Sequence, residues 1–177
     1  GDEQQAIDAL HAARELNVNN SGVVARLAQV HAQQGDTALA RQMLEEAIKE
    51  HGKRRSPELA LLQHAMAGVE EAEENVDAMF AWLEAALISD RNNAEVASEL
   101  AVRAQTAERY DVAVKALQNL ALNKTDMGMS KAEAYFRQAQ IAVIAGDDKK
   151  ALLMARRAHS TDSELPGLSQ LLHTLGG

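Results

Sequence analysis

The sequence predicts an all-α fold, a solenoid of about ten helices in antiparallel pairs, on three observations. The first is a frame that recurs five times, in which a turn is followed at fixed offsets by a small or apolar residue, a bulkier one and another small or apolar one. Gly1-Asp2 leads to Ala6, Leu10 and Ala13, and Gly35-Asp36 leads to Ala40, Leu44 and Ala47, each displaced by 34. The same frame fits Glu74 with Met79, Leu83 and Ala86, Glu108 with Ala113, Leu117 and Leu120, and Gly146-Asp147 with Ala151, Ala155 and Ala158. The second observation lies outside that frame: seven residues before each internal turn stand Ala28, Ala67, Ala101 and Ala139. With 34 alanines in 177 residues, chance would do this about once in a thousand. Small residues on facing stripes let two antiparallel helices approach closely. The third is composition: aromatic residues make up 3% and there are two prolines, which suits helices packed through small side chains better than a β-sandwich.

Taken in order, the elements are helices over about 2–17, 21–34, 37–51, 57–73, 76–90, 94–107, 110–123, 129–145, 148–161 and 164–175. Ser56 before Pro57 places a hydroxyl cap ahead of proline at the first helical position, where the missing N–H costs nothing. Asn92-Asn93 caps the helix from Ala94, and Asp126 or Ser130 caps the one that begins near Met129. Turn-to-turn spacings run 34, 39, 34 and 38, so extra residues near Gly52 to Pro57 and Asp126 to Lys131 should lengthen a loop or a first helix and perturb the superhelix locally. Leu168, Leu171, Leu172 and Leu175 form one apolar stripe with Ser169, Gln170, His173 and Thr174 elsewhere, as expected of a helix that closes a stack against water. The frame opens at Gly1 in mid-repeat, which reads as a piece of a longer array.

This pattern resembles the tetratricopeptide repeat, a 34-residue helix-turn-helix unit with a small residue in its first helix (helix A), a Gly-Asp-like turn, and alanine, a bulky residue and alanine in its second (helix B). The best copy is Ser21 to Arg54, with Leu27, Ala28, Gly35, Asp36, Ala40, Leu44 and Ala47 in family positions. The aromatic residue expected early in helix A is replaced by Val24, Gln63 and Ala97 and met by Tyr135; the turns at Glu74 and Glu108 lack glycine, and the proline expected after helix B is missing. The resemblance implies a right-handed α-α superhelix and a single solenoid over 1–177. It comprises a lone helix B in 1–20, repeats at 21–54, 60–93, 94–127 and 132–163, and a capping helix in 164–177.

The resemblance further implies a protein-binding scaffold whose concave groove is lined by helix A. Carried onto this chain, the groove positions are Gly22, Ala25, Gln29 and Ala32, with Gln33 beside them; Leu61, His64, Gly68 and Glu71; Glu95, Ser98, Val102 and Gln105; and Glu133, Phe136, Gln140 and Val143. The lysine and asparagine clamp with which chaperone-binding members hold a C-terminal carboxylate is absent, since the corresponding positions are neutral or acidic. The expected partner is therefore a protein or peptide segment held by side-chain complementarity. Alternatives are a regulatory or sensor region of a larger multidomain enzyme or signalling protein, and self-association through open helix ends.

Nothing in the sequence points to catalysis, a cofactor or a metal. The six histidines include no HExxH and no pair at i and i+4, and there is no cysteine, GxSxG elbow or phosphate loop. His31 falls on the inner stripe of its helix and reads as a packing residue, and Trp82, with Phe80, Leu83 and Leu87, as core and inter-repeat packing. Net charge of -8 argues against nucleic acid as a ligand. That charge is uneven: residues 1–88 hold 7 Lys and Arg against 15 Asp and Glu, and residues 89–177 hold 11 against 11. Glu70, Glu71, Glu73 and Glu74 read as a solvated turn, and Lys53-Arg54-Arg55 as a helix terminus and linker. No run of about 18 apolar residues could span a bilayer, and no signal peptide is visible. The compartment stays open, with the cytoplasm favoured over the periplasm.

Overall fold

The computed structural model describes residues 20–123 and 128–176, together with Ala12. The expected helix over 2–17 otherwise lies outside the described residues. Among these residues there are nine helices and no strand: α1 (Ser21–Gln33), α2 (Thr37–His51), α3 (Pro57–Ala72), α4 (Val76–Ser89), α5 (Ala94–Thr106), α6 (Tyr110–Leu122), α7 (Lys131–Ile144), α8 (Asp148–Thr161) and α9 (Leu168–Thr174). The all-α solenoid expectation holds. The chain divides into two compact units, Gly1–Arg91 and Asn92–Gly177.

All four internal turns close in the same way. The backbone N–H groups of Asp36, Asn75, Arg109 and Asp147 reach back to the carbonyls of His31, Glu70, Ala104 and Ala142, at 2.8 to 2.9 Å. Each bond satisfies a carbonyl that the end of a helix leaves unpaired, and it requires a left-handed residue just before the donor. Gly35 and Gly146 take that conformation at φ +87° and +71°; Glu74 and Glu108 take it as well, at +59° and +57°. The missing glycines therefore leave the turn geometry unchanged and strain two side-chain-bearing residues instead.

Helix starts follow the caps. Ser56 accepts from the Leu59 N–H at 3.1 Å, Asn93 from Val96 at 3.0 Å and Ser130 from Glu133 at 3.1 Å. Ser130 thus caps α7, which begins at Lys131, two residues beyond the expected start. The 39-residue spacing lengthens both the loop and the helix: α3 runs 16 residues where α1 and α5 run 13. The final helix begins at Leu168, four residues later than the expected 164. Pro166 disfavours helical backbone at Leu165, and Gly167 sits in the left-handed region at the N-cap.

Within the first unit α1 packs on α2 and α3, α2 on α3, and α3 on α4. Leu27, Leu44, Leu62 and Met66 are fully buried there, with Val24, Ala28, Ala40, Met43, Ala65 and Val69 around them. Trp82 packs against this core from α4, as the sequence suggested. Burying each such leucine contributes about 1.5–3 kcal/mol. Within the second unit α5 packs on α6, α6 on α7, α7 on α8, and α8 on α9. Leu168 is fully buried among Ala139, Met154, Ala155 and Ala158, with Tyr135, Phe136, Leu171, Leu172 and Leu175 against them. The four facing alanines, Ala28, Ala67, Ala101 and Ala139, are at most 2% exposed, as the small-residue stripe requires.

Candidate functional site

In the first unit the helix-A faces belong to α1 and α3. Gln29 and His64 are half-buried, whereas Gln33 and Glu71 are exposed. Gln29 accepts a hydrogen bond from the Arg26 guanidinium at 3.1 Å, which fixes its amide along α1. Leu61 stands 44% exposed on α3 beside fully buried Leu62. Adjacent residues on a helix point some 100° apart, so one leucine fills the core and the other is presented outward.

The acidic stretch at the end of α3 departs from its expected solvated character. Glu70 is buried, and its carboxylate accepts from Arg41 Nη1 at 2.6 Å and from Asn75 Nδ2 at 3.0 Å. Arg41 Nη2 also donates to Glu73 at 2.6 Å, so one guanidinium on α2 grips two carboxylates at the α3 terminus. The hydrogen bond from Arg41 holds the Glu70 carboxyl below its ordinary range against the opposing effect of burial. The same bond raises the Arg41 guanidinium above its usual value. Sequence reading missed this cluster because Arg41 and Glu70 lie 29 residues apart and share no local spacing. Its chemistry is that of a fastener between one repeat and the next.

In the second unit the helix-A faces belong to α5 and α7. Glu95 is exposed at the start of α5. Ser98 is half-buried and engaged twice: its hydroxyl donates to the Ala94 carbonyl at 2.6 Å and accepts from the Met129 N–H at 2.9 Å. The chain crosses so close there that a Cβ on Gly128 would lie 2.6 Å from Ser98 Oγ, and Gly128 has φ +77°. Ser98 therefore anchors the connection into α7. Phe136, also half-buried, joins the apolar cluster around Leu168. Gln105 and Glu133 are brought together around a residue the sequence did not single out, Arg137. Arg137 Nη1 donates to Gln105 Oε1 at 3.0 Å, while its Nε and Nη2 donate to Glu133 Oε1 at 3.0 and 2.8 Å. Glu133 lies four residues before Arg137 on α7 and orients the guanidinium, which then reaches across to α5. Gln140 lies one turn further along α7 and is half-buried.

Among the described residues no three His, Asp or Glu side chains gather as a metal site would need, and no helix is long and apolar enough to cross a membrane.

Comparison with protein families matches residues 1–68 to the tetratricopeptide repeat. No curated protein matches the sequence. Among solved structures, BtubC (BKLC) from P. vanneervenii is similar at 17% identity and TM-score 0.61, over 99% of this chain and 79% of that one. MamA is similar at 16% identity and TM-score 0.62, over 93% of this chain and 91% of that one. A tetratricopeptide repeat protein from Parabacteroides merdae is similar at 12% identity and TM-score 0.52, over 100% of this chain and 66% of that one. At such identities the likeness concerns the fold alone. Residues 1–68 thus match the tetratricopeptide repeat family, and the helix-pair fold continues beyond them.

Proposed function

We propose that this chain is a non-catalytic interaction scaffold that holds a peptide or protein segment on the helix-A faces of its repeats. Tetratricopeptide repeats are in general protein-protein interaction modules. The observation that carries the reading is the exposure of Leu61, Val102 and Val143, at 44%, 42% and 41%. All three occupy groove positions expected from the repeat frame, on helices whose other apolar residues are mostly buried. Apolar side chains held outward on rigid helices, beside amide and carboxylate groups, suit recognition of a segment with both apolar and polar groups. Net charge of -8 and the lack of a dense basic patch disfavour nucleic acid as the occupant.

The test is affinity capture from the source lysate with the wild-type chain beside two variants, Leu61→Ser with His64→Ala and Val102→Ser with Gln140→Ala. Captured proteins should be depleted by at least one variant while its circular dichroism stays that of the wild type. If every captured protein binds all three chains equally, the helix-A reading is wrong.

A further inference from the structure

The guanidinium of Arg137 is held but not saturated. Arginine carries five N–H donors and no acceptor. Three donor positions are engaged, two on Glu133 and one on Gln105, and the others have no partner among the described residues on a side chain 29% exposed. Gln105 uses its carbonyl on Arg137, which leaves its NH₂ group available, and the Gln140 amide makes no hydrogen bond among the described residues. This part of the α5/α7 face therefore offers a surplus of donors. What fits it is a group rich in acceptor oxygens.

Charge decides which kind. Glu133 neutralises Arg137 through direct contact, so an incoming carboxylate would meet no net positive charge and would compete with Glu133 for the same fork. Main-chain carbonyls carry no charge to compete and recur regularly along an extended peptide. Exposed Val102 lies one turn before Gln105, and exposed Val143 one turn after Gln140, so apolar surface borders the donors on both helices. We propose that the α5/α7 face binds a neutral, extended peptide through its main-chain carbonyls, with Arg137, Gln105 and Gln140 as donors and Val102 and Val143 against its apolar side chains. This rests on the scaffold reading above and specifies its ligand in the second unit. Because Glu133 and Gln105 fix the guanidinium beforehand, little side-chain entropy is lost on binding.

The experiment pans a displayed library of random dodecapeptides on the full chain. The recovered sequences are then synthesised and their affinities measured by fluorescence anisotropy. Recovered peptides should be neutral and apolar. Arg137→Ala should weaken them about tenfold. Gln140→Leu breaks no hydrogen bond of the fold, so it separates binding from folding, and it should weaken the same peptides about threefold. Peptides that depend on Asp, Glu or a free C-terminal carboxylate overturn the main-chain assignment. Peptides weakened by Val102→Ser but indifferent to Arg137→Ala and Gln140→Leu overturn this inference and leave the scaffold reading standing. If no peptide is retained, or if those retained ignore all three variants, both readings fall.

Discussion

The two units repeat one hairpin design but join their repeats by different means. In the first, α2 is fastened to the end of α3 by a buried carboxylate that receives Arg41 and Asn75, beside an apolar core in which α1 packs directly on α3. In the second, α5 and α7 are linked by half-exposed bridges, Arg137 to Gln105 and Met129 to Ser98. The hairpin itself is set by turns and alanines, which recur. The seams between hairpins are set by whichever polar residues fall there, and these do not recur. A buried charge is costly to leave alone, whereas a half-exposed one is readily resolvated by water, so the two seams should respond differently to the same kind of damage.

The strongest way to break this contrast is Arg41→Ala, which strands the Glu70 carboxylate and should cost about 3 kcal/mol. Urea unfolding followed by the fluorescence of Trp82, the single tryptophan, reads this loss within the first unit. Replacing both partners, Arg41→Met with Glu70→Leu, should recover most of it. A loss below about 1 kcal/mol for Arg41→Ala would mean that Glu70 finds water and the seam is not closed.

Acid should act on the same seam. The Glu70 carboxyl titrates below its ordinary value of 4.5, chiefly through the hydrogen bond from Arg41. A depressed folded value means its stabilisation is complete above the unfolded value and is lost as pH falls through the folded one. Its contribution should therefore be constant from neutral pH to about pH 5 and then decline with further acid. Glu70→Gln should flatten part of that acid slope; parallel slopes for the two proteins would show that the pair does not govern it.

In the second unit, Arg137→Ala should cost no more than about 1 kcal/mol, because both ends of its bridge are half-exposed. A thermal melt followed by circular dichroism checks this. A loss comparable to that of Arg41→Ala would erase the distinction between the seams. The smallest expected effect is a gain common to both units: Glu74→Gly and Glu108→Gly should each stabilise by about 0.5–1 kcal/mol, since each replaces a strained left-handed residue. Unequal gains in the urea midpoint would show that the two turns are not equivalent.

Much of the fold was legible because it depends on local rules. A left-handed residue and a backward-reaching N–H end a helix wherever they occur, so the turns could be counted even where Glu74 and Glu108 stand in for glycine. Ser56, Asn93 and Ser130 act as caps because a short polar side chain can satisfy a nearby N–H without help from the rest of the chain. The spaced alanines mark faces that must come close, and they are buried. The expected start of the last helix at 164 fails for a local reason too: Pro166 restricts the backbone of Leu165, and the helix begins at Leu168.

The candidate surface was less legible. Frame positions identified Gln105, Glu133 and Gln140, but Arg137, which gathers the first two, sits outside the groove positions. Ser98 and Phe136, which the resemblance assigns to a groove, anchor a connection and an apolar cluster, respectively. The sequence by itself thus determined the repeat, its period and phase, the caps and the buried small residues, all of which follow from chain-local sterics and hydrogen bonding. Only the tertiary structure decided that Glu70 is a fastener and not a solvated turn, and that Arg137 spans two helices. Those roles depend on side chains 29 and 32 residues apart meeting in space, and no local spacing encodes such a meeting.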